Sequence, residues 1–140
     1  DFAEHYYACD IVKELQDYNR TKFQAKNVSF LHLDAVLDQW PKGDIVLIRQ
    51  LLQHLSNSDI MAVVKKLKKY QTAVITEHIP FGNFNRNLDL NVGFATRLLR
   101  GSGVDLLAPP FNLAGFDASV VCNIPQDNGL IQTTLLKSKS

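Results

Sequence analysis

The chain is poor in the residues that usually mark a function. Two cysteines, one tryptophan and one methionine occur among 140 residues. A secreted domain stapled by disulfides carries more cysteines, placed in loops. Cys9 and Cys122 instead sit in apolar, strand-like runs and read as two buried, reduced thiols of a cytoplasmic protein. No apolar run approaches the roughly 18 residues a membrane span needs, and no charged, apolar and small-residue series opens the chain, so neither a membrane protein nor a secretory signal is expected. Fifteen basic against fourteen acidic residues leave a net charge of +1, which removes the simplest argument for nucleic-acid binding. His5, His32, His54 and His78 are scattered, with no cysteine or glutamate at zinc-ligand spacing, so no metal site is expected. There is no internal repeat and no low-complexity tract.

What is present is an ordinary globular composition, 46% hydrophobic and 21% charged, over a length suited to one domain, 1–140. His5 to Cys9 read as a strand ending at Asp10. From Ile11 to Phe23 the period turns helical, with Ile11, Leu15, Tyr18 and Phe23 on one face and Lys13, Glu14, Gln16 and Asp17 on the other. Val28 to Leu33 form a strand stopping at Asp34, and Ile45 to Ile48 another that ends at Arg49-Gln50. Ser56 followed by Asp59 predicts a capped helix, with Ile60, Val63, Val64 and Leu67 on one face and Lys65, Lys66, Lys68 and Lys69 on the other. Ala73 to Thr76 are a strand ending near Glu77-His78. Such short continuous apolar runs suit strands covered on both faces in a parallel sheet.

Residues 79–117 differ. They hold three of the five prolines and only a short helical candidate at Phe94 to Leu99, which suggests an insertion or lid rather than a connector. Ala118 to Ile124, a turn at 126–129 and Leu130 to Leu136 then make a hairpin. The expected architecture is α/β, a mostly parallel sheet closed by an antiparallel hairpin.

Ligands of open α/β sheets bind at the carboxyl ends of the strands. Those ends are Asp10, Asp34, Arg49-Gln50 and Glu77-His78. A strand-end carboxylate can accept hydrogen bonds from a ribose diol, and Asp34 could take the exocyclic amine of a base; either can equally be a helix cap or turn residue. The phosphate fingerprint is missing. Gly101-Ser102-Gly103 follows no strand and reads as a loop. Nine residues precede Asp10, too few for the strand whose turn would carry the glycines.

Three runs carry a resemblance: Tyr7 to Val12; Asn27 to Phe30 with Asp34; and Gly43-Asp44-Ile45-Val46-Leu47-Ile48-Arg49-Gln50-Leu51-Leu52-Gln53-His54-Leu55-Ser56. Together they resemble the later motifs of class I S-adenosylmethionine-dependent methyltransferases. The third resembles the fourth-strand signature of a bacterial-type subgroup, and Asn85-Arg86 and Pro109-Pro110-Phe111-Asn112-Leu113 resemble further segments of it. The resemblance runs from Tyr7 to about Leu136. It implies a Rossmann-like methyltransferase sheet lacking its first strand and glycine-rich motif, with S-adenosylmethionine as cofactor and a small-molecule or glycan acceptor. Asp10 would bind the ribose hydroxyls, Ile11 would pack on the adenine, Asp34 and Ala35 would lie at the adenine edge, and Arg49 and Gln50 at the methionine end. Asn85, Arg86, Phe111 and Asn112 would belong to the acceptor side, although Phe111 can equally fill the core. If the acceptor needs a general base, His54, Glu77 and His78 are the candidates; the plainer reading of Glu77 is a strand-end carboxylate in water.

Ser102 and Asp105 depart from the subgroup, which has Trp-Arg and Asn-Leu type residues before the Pro-Pro segment. That departure, with the missing motif, supports the alternative of a catalytically inactive binding or scaffold domain. A nicotinamide-dependent oxidoreductase would fit Asp10 but not the terminal hairpin. Exposed sheet edges suggest a portion of a longer chain, or self-association.

Overall fold

A computed structural model describes residues 3–91 and 96–139 of the chain. They form two compact units, divided between Lys42 and Gly43.

In the first unit, β1 (Tyr6–Asp10) and β2 (Val28–His32) pair in parallel, with Asp10 opposite His32, and α1 (Lys13–Lys22) connects them. The expected apolar packing face of α1 is not the buried one. Ile11, Leu15, Tyr18 and Phe23 are exposed and Gln16 is the buried residue. The polar side ties the helix to β2: the Arg20 guanidinium donates from Nε and Nη2 to the Phe30 carbonyl at 2.9 and 2.7 Å.

The second unit is built on a four-stranded sheet of order β3-β4-β8-β7. β3 (Ile45–Arg49) pairs in parallel with β4 (Thr72–Pro80), and the hairpin of β7 (Phe116–Gln126) and β8 (Gly129–Ser138) joins antiparallel through β8. Between β3 and β4 lie a 3-10 turn, Leu52–His54, and α2 (Asn57–Leu67). The Ser56 hydroxyl accepts from the Asp59 amide at 3.2 Å and donates to its carboxylate at 2.7 Å, so Ser56 caps the helix, while the shorter aspartate meets the hydroxyl and does not make the reciprocal backbone bond of a capping box. Ile60, Val63, Val64 and Leu67 are all buried, each worth about 1.5–3 kcal/mol of hydrophobic stabilisation.

Several expectations are corrected. β4 does not end at Thr76. Its parallel pairing with β3 stops at Arg49 opposite Thr76, but antiparallel pairing with β8 carries it on to Pro80, so Glu77 and His78 lie inside a strand. The strands are not covered on both faces: Val46 and Ile48 point inward, whereas Ile45 and Leu47 are exposed, as are Val120, Val121 and Ile124 of β7. The thiols are not buried; both are free and exposed, Cys9 in β1 and Cys122 next to a bulge in β7.

Nor is Gly101–Gly103 merely a loop. Ser102 and Gly103 form β6, paired in parallel with β5 (Asn85–Arg86) and buried. A Cβ on Gly103 would lie 2.9 Å from both the Ile79 and Phe84 side chains, so glycine is what lets this strand reach the sheet. The helical candidate of this segment is a 3-10 turn over Arg97–Arg100; its Phe94 and Ala95 lie outside the described residues. No helix among the described residues is long and apolar enough to cross a membrane.

Candidate functional site

The two strand-end acids of the first unit are held in the same way. Asp10 Oδ1 accepts from the Val12 amide at 2.8 Å, which turns the chain into α1. Asp34 Oδ1 accepts from the amides of Val36 and Leu37 at 2.7 and 3.0 Å. Each carboxylate thus spends one oxygen on its own turn, as a capping residue does, and keeps Oδ2 without a partner among the described residues. Beside them Ile11 is 61% exposed, and the Ala35 carbonyl accepts from the Trp40 indole at 3.0 Å. The capping and ligand-binding readings of these acids are therefore compatible.

In the second unit, Arg49 ends β3 with an exposed side chain, and Gln50 follows in the left-handed region at φ 51°, its amide donating to the Thr76 carbonyl at 2.7 Å. The next three amides converge on one side chain. Glu77 Oε1 accepts from Leu51 and Leu52 at 3.1 and 2.8 Å, and Oε2 accepts from Gln53 at 3.0 Å. These are the otherwise unpaired donors that open the 3-10 turn. Glu77 is only 5% exposed, so it is not a carboxylate in water. Burial pushes its carboxyl from 4.5 up to about 7, against the pull of the three amides and of Arg97.

The two histidines have separate surroundings. His54 Nε2 lies 3.3 Å from the Gln53 amide nitrogen, which can only donate, so this ring nitrogen accepts and Nδ1 carries the proton. His78 Nε2 lies 3.1 Å from the Gln126 carbonyl and must donate to it.

In the segment 79–117, Asn85 and Arg86 are exposed on β5, and Arg86 Nε pairs with Asp105 Oδ2 at 2.9 Å. Phe111 is buried and Asn112 exposed, just after a cis Pro109-Pro110 bond. The structure brings Arg86 and Glu77 to one cavity of about 400 Å³, on the sheet face that carries Ile75 and Ile79; Asn85, Phe111 and Asn112 do not line it.

The residue that organises this segment is Asn87, which sequence reasoning passed over although it follows the Asn85-Arg86 pair. Its amide donates to the carbonyls of Asp105 and Pro109 at 2.8 and 2.9 Å, and its Oδ1 accepts from the Asp105 amide at 2.8 Å. A φ of 58°, which asparagine tolerates, turns its side chain inward. Arg97 was also missed: it is fully buried and donates to the carbonyls of Leu88 and Leu55 and to Asn57 Oδ1. The two residues that depart from the resembled subgroup are in use as well. Ser102 Oγ accepts from the Leu88 amide at 3.1 Å, and Asp105 holds Arg86.

No family model and no curated protein sequence matches the chain. Solved structures do. The structure of LepI in complex with SAM superposes with a TM-score of 0.63 over 96% of this chain, at 8% identity. The DhpI-SAH complex gives 0.57 over 99% at 15% identity. The 1,6-didemethyltoxoflavin-N1-methyltransferase of Burkholderia thailandensis, with bound 1,6-didemethyltoxoflavin and S-adenosylhomocysteine, gives 0.57 over 95% at 16% identity. The likeness establishes a class I methyltransferase-type fold. The chain spans 36% of the LepI chain, 68% of DhpI and 61% of the toxoflavin enzyme.

Proposed function

We propose that these 140 residues are part of a methyltransferase that uses S-adenosylmethionine on a small-molecule acceptor. The observation that carries this reading is the fit of the strand-end acids to a nucleoside. Asp10 and Asp34 are each oriented by a local amide through Oδ1, with Oδ2 left to accept from a ribose hydroxyl or an adenine amine. Ile11 offers an exposed apolar side chain of the kind an adenine ring packs on. The similarity to three structures solved with SAM or S-adenosylhomocysteine supports the same cofactor.

In the second unit we assign Arg49 and Gln50 to the methionine end of the cofactor. Glu77, through the amides of Leu51 to Gln53, keeps the turn that follows them in place. Residues 79–117 form the acceptor side, with Asn85, Arg86, Phe111 and Asn112 as its candidate contacts. When bound, the cofactor supplies an electrophilic methyl group. The protein's share is then chiefly positioning and exclusion of water. If the acceptor requires proton removal, His78 is the candidate we favour among His54, Glu77 and His78. Its Nε2 donates to the Gln126 carbonyl and leaves Nδ1 able to accept, whereas the oxygens of Glu77 hold three amides and His54 Nε2 already accepts from Gln53. The glycine-rich motif and its strand would be supplied by residues outside this sequence.

The test is calorimetric titration of S-adenosylhomocysteine into the chain and into an N-terminally extended form, each as wild type and Asp10→Ala. Binding to the extended wild type, weakened by roughly 1–3 kcal/mol in Asp10→Ala, is expected, because the ribose hydroxyls lose a charged acceptor. Unchanged affinity in the variant rejects the ribose assignment. Binding to neither form favours the scaffold alternative.

A further inference from the structure

The cavity of the second unit has a floor and a roof of unlike character. Its floor is the inner face of β4, β8 and β7, where Ile75 stands opposite Thr134 and Ile79 opposite Leu130. The roof is the segment that carries Phe84, Arg86 and Leu106. Ala118 and Thr134 are short side chains on this floor, and the space above them stays open. At about 400 Å³ it falls within the range of small-molecule sites, which are mostly apolar with a few placed polar groups.

The polar groups around it differ in what they have left to give. Glu77 has both oxygens filled by backbone amides. Asp105 accepts from the Leu107 amide through Oδ1 and from Arg86 through Oδ2. Gln132 has its amide nitrogen on Asn123 Oδ1. Arg86 is the exception. Only Nε is engaged with Asp105, the ring of Phe84 lies 6.0 Å beneath the guanidinium, and the two terminal nitrogens meet no acceptor among the described residues. Arg86, in an ion pair with Asp105 through Nε, therefore presents two N–H donors that no described residue accepts from, beside a chamber lined mostly by apolar side chains. A planar guanidinium with two free nitrogens matches a carboxylate in bidentate geometry.

We propose that this cavity binds a small amphipathic carboxylic acid, its carboxylate on the terminal nitrogens of Arg86 and its branched or aromatic body between the β4–β8 floor and Phe84. The proposal rests on the acceptor-side reading for its role, making an apolar acid the acceptor class, but the binding itself does not require the cofactor. Asp105 then acts as a positioning residue, fixing Arg86 through Nε while leaving the fork outward.

The test is calorimetric and NMR titration of the chain with phenylacetate and isovalerate, and with phenylacetamide as the neutral counterpart. It is repeated in Arg86→Gln and in Val120→Trp. Val120 lines the cavity from an exposed position on β7, so an indole there fills the opening with little strain on the core. Saturable binding of the acids is expected, with shifts at the amides of Ile75, Ile79 and Leu130. Affinity should fall about 10-fold or more in Arg86→Gln, as for loss of a charge-assisted pair, and be lost in Val120→Trp. Equal binding of phenylacetamide and phenylacetate overturns the anionic head, and absence of saturable binding by any probe overturns the site. S-adenosylhomocysteine is titrated in parallel. A chain that takes phenylacetate but, in its extended form, no S-adenosylhomocysteine refutes the methyltransferase reading and keeps this site; the reverse result refutes only the site.

Discussion

Replacing Glu77 by glutamine should change not only how stable the protein is but how its stability depends on pH. The glutamine carbonyl can keep the amides of Leu51 and Leu52, but its –NH2 faces the Gln53 amide, donor against donor. One stranded buried donor costs about 1–3 kcal/mol. The wild-type carboxyl titrates at about 7 in the folded chain and at an ordinary 4.5 when unfolded. Because the folded value is the higher, the stabilisation is complete below the unfolded value and is lost as pH rises through the folded one. Between the two values the unfolded chain has released a proton that the folded chain still holds, so unfolding gains. The gap from 4.5 to about 7 is about 2.5 pH units, which corresponds to roughly 3 kcal/mol. Urea denaturation followed by circular dichroism, from about pH 4.5 to about pH 8, reads this directly. The stability of wild type minus that of Glu77→Gln cancels every titration the two proteins share. That difference should fall by roughly 3 kcal/mol across the window. A flat difference would refute the reasoning. A rising one would mean that the three amides outweigh burial and hold the carboxyl below 4.5.

Two further perturbations test the framework around the site. Asn87→Ala strands the Asp105 amide together with two carbonyls and puts alanine at φ 58°; a loss of about 2–4 kcal/mol in denaturation is expected, and a loss below about 0.5 kcal/mol, the size of an ordinary surface change, would mean that 79–117 is held by something else. Gly129→Ala places a Cβ 2.3 Å from the Ile79 carbonyl, inside the β4–β8 pairing. It should cost about 1–3 kcal/mol and speed hydrogen exchange at Leu130 and Ile131, and unchanged exchange would contradict that close approach.

Much of the local structure needed no more than the chain. The Ser56 to Asp59 cap and the buried row Ile60, Val63, Val64 and Leu67 follow from hydrogen-bonding chemistry and the 3.6-residue period, and they appear as expected. The terminal hairpin follows from two apolar runs around Gln126-Asp127-Asn128-Gly129. The acids at the ends of β1 and β2 were visible because a strand that stops at aspartate leaves that carboxylate beside the free amides of the next turn.

Long-range pairing decided the rest. Nothing local carries β4 past Thr76; its partner β8, more than fifty residues away, extends it and brings Glu77 into the row of Ala73, Ile75 and Ile79. Only then can a carboxylate that reads as solvated receive three amides from the turn after β3. α1 shows the same limit from the other side, since its apolar period predicted a packing face that is exposed, while Arg20 bonds the Phe30 carbonyl of β2. Asn87 and Arg97 gather carbonyls from segments far apart in sequence, a convergence with no period and no motif. Sequence by itself determined that Asp10 and Arg49 stand at strand ends and which helix face of α2 is apolar. The tertiary structure decided which polar groups are already satisfied and which, such as the outer nitrogens of Arg86, remain open to a ligand, because satisfaction depends on partners that only folding brings within reach.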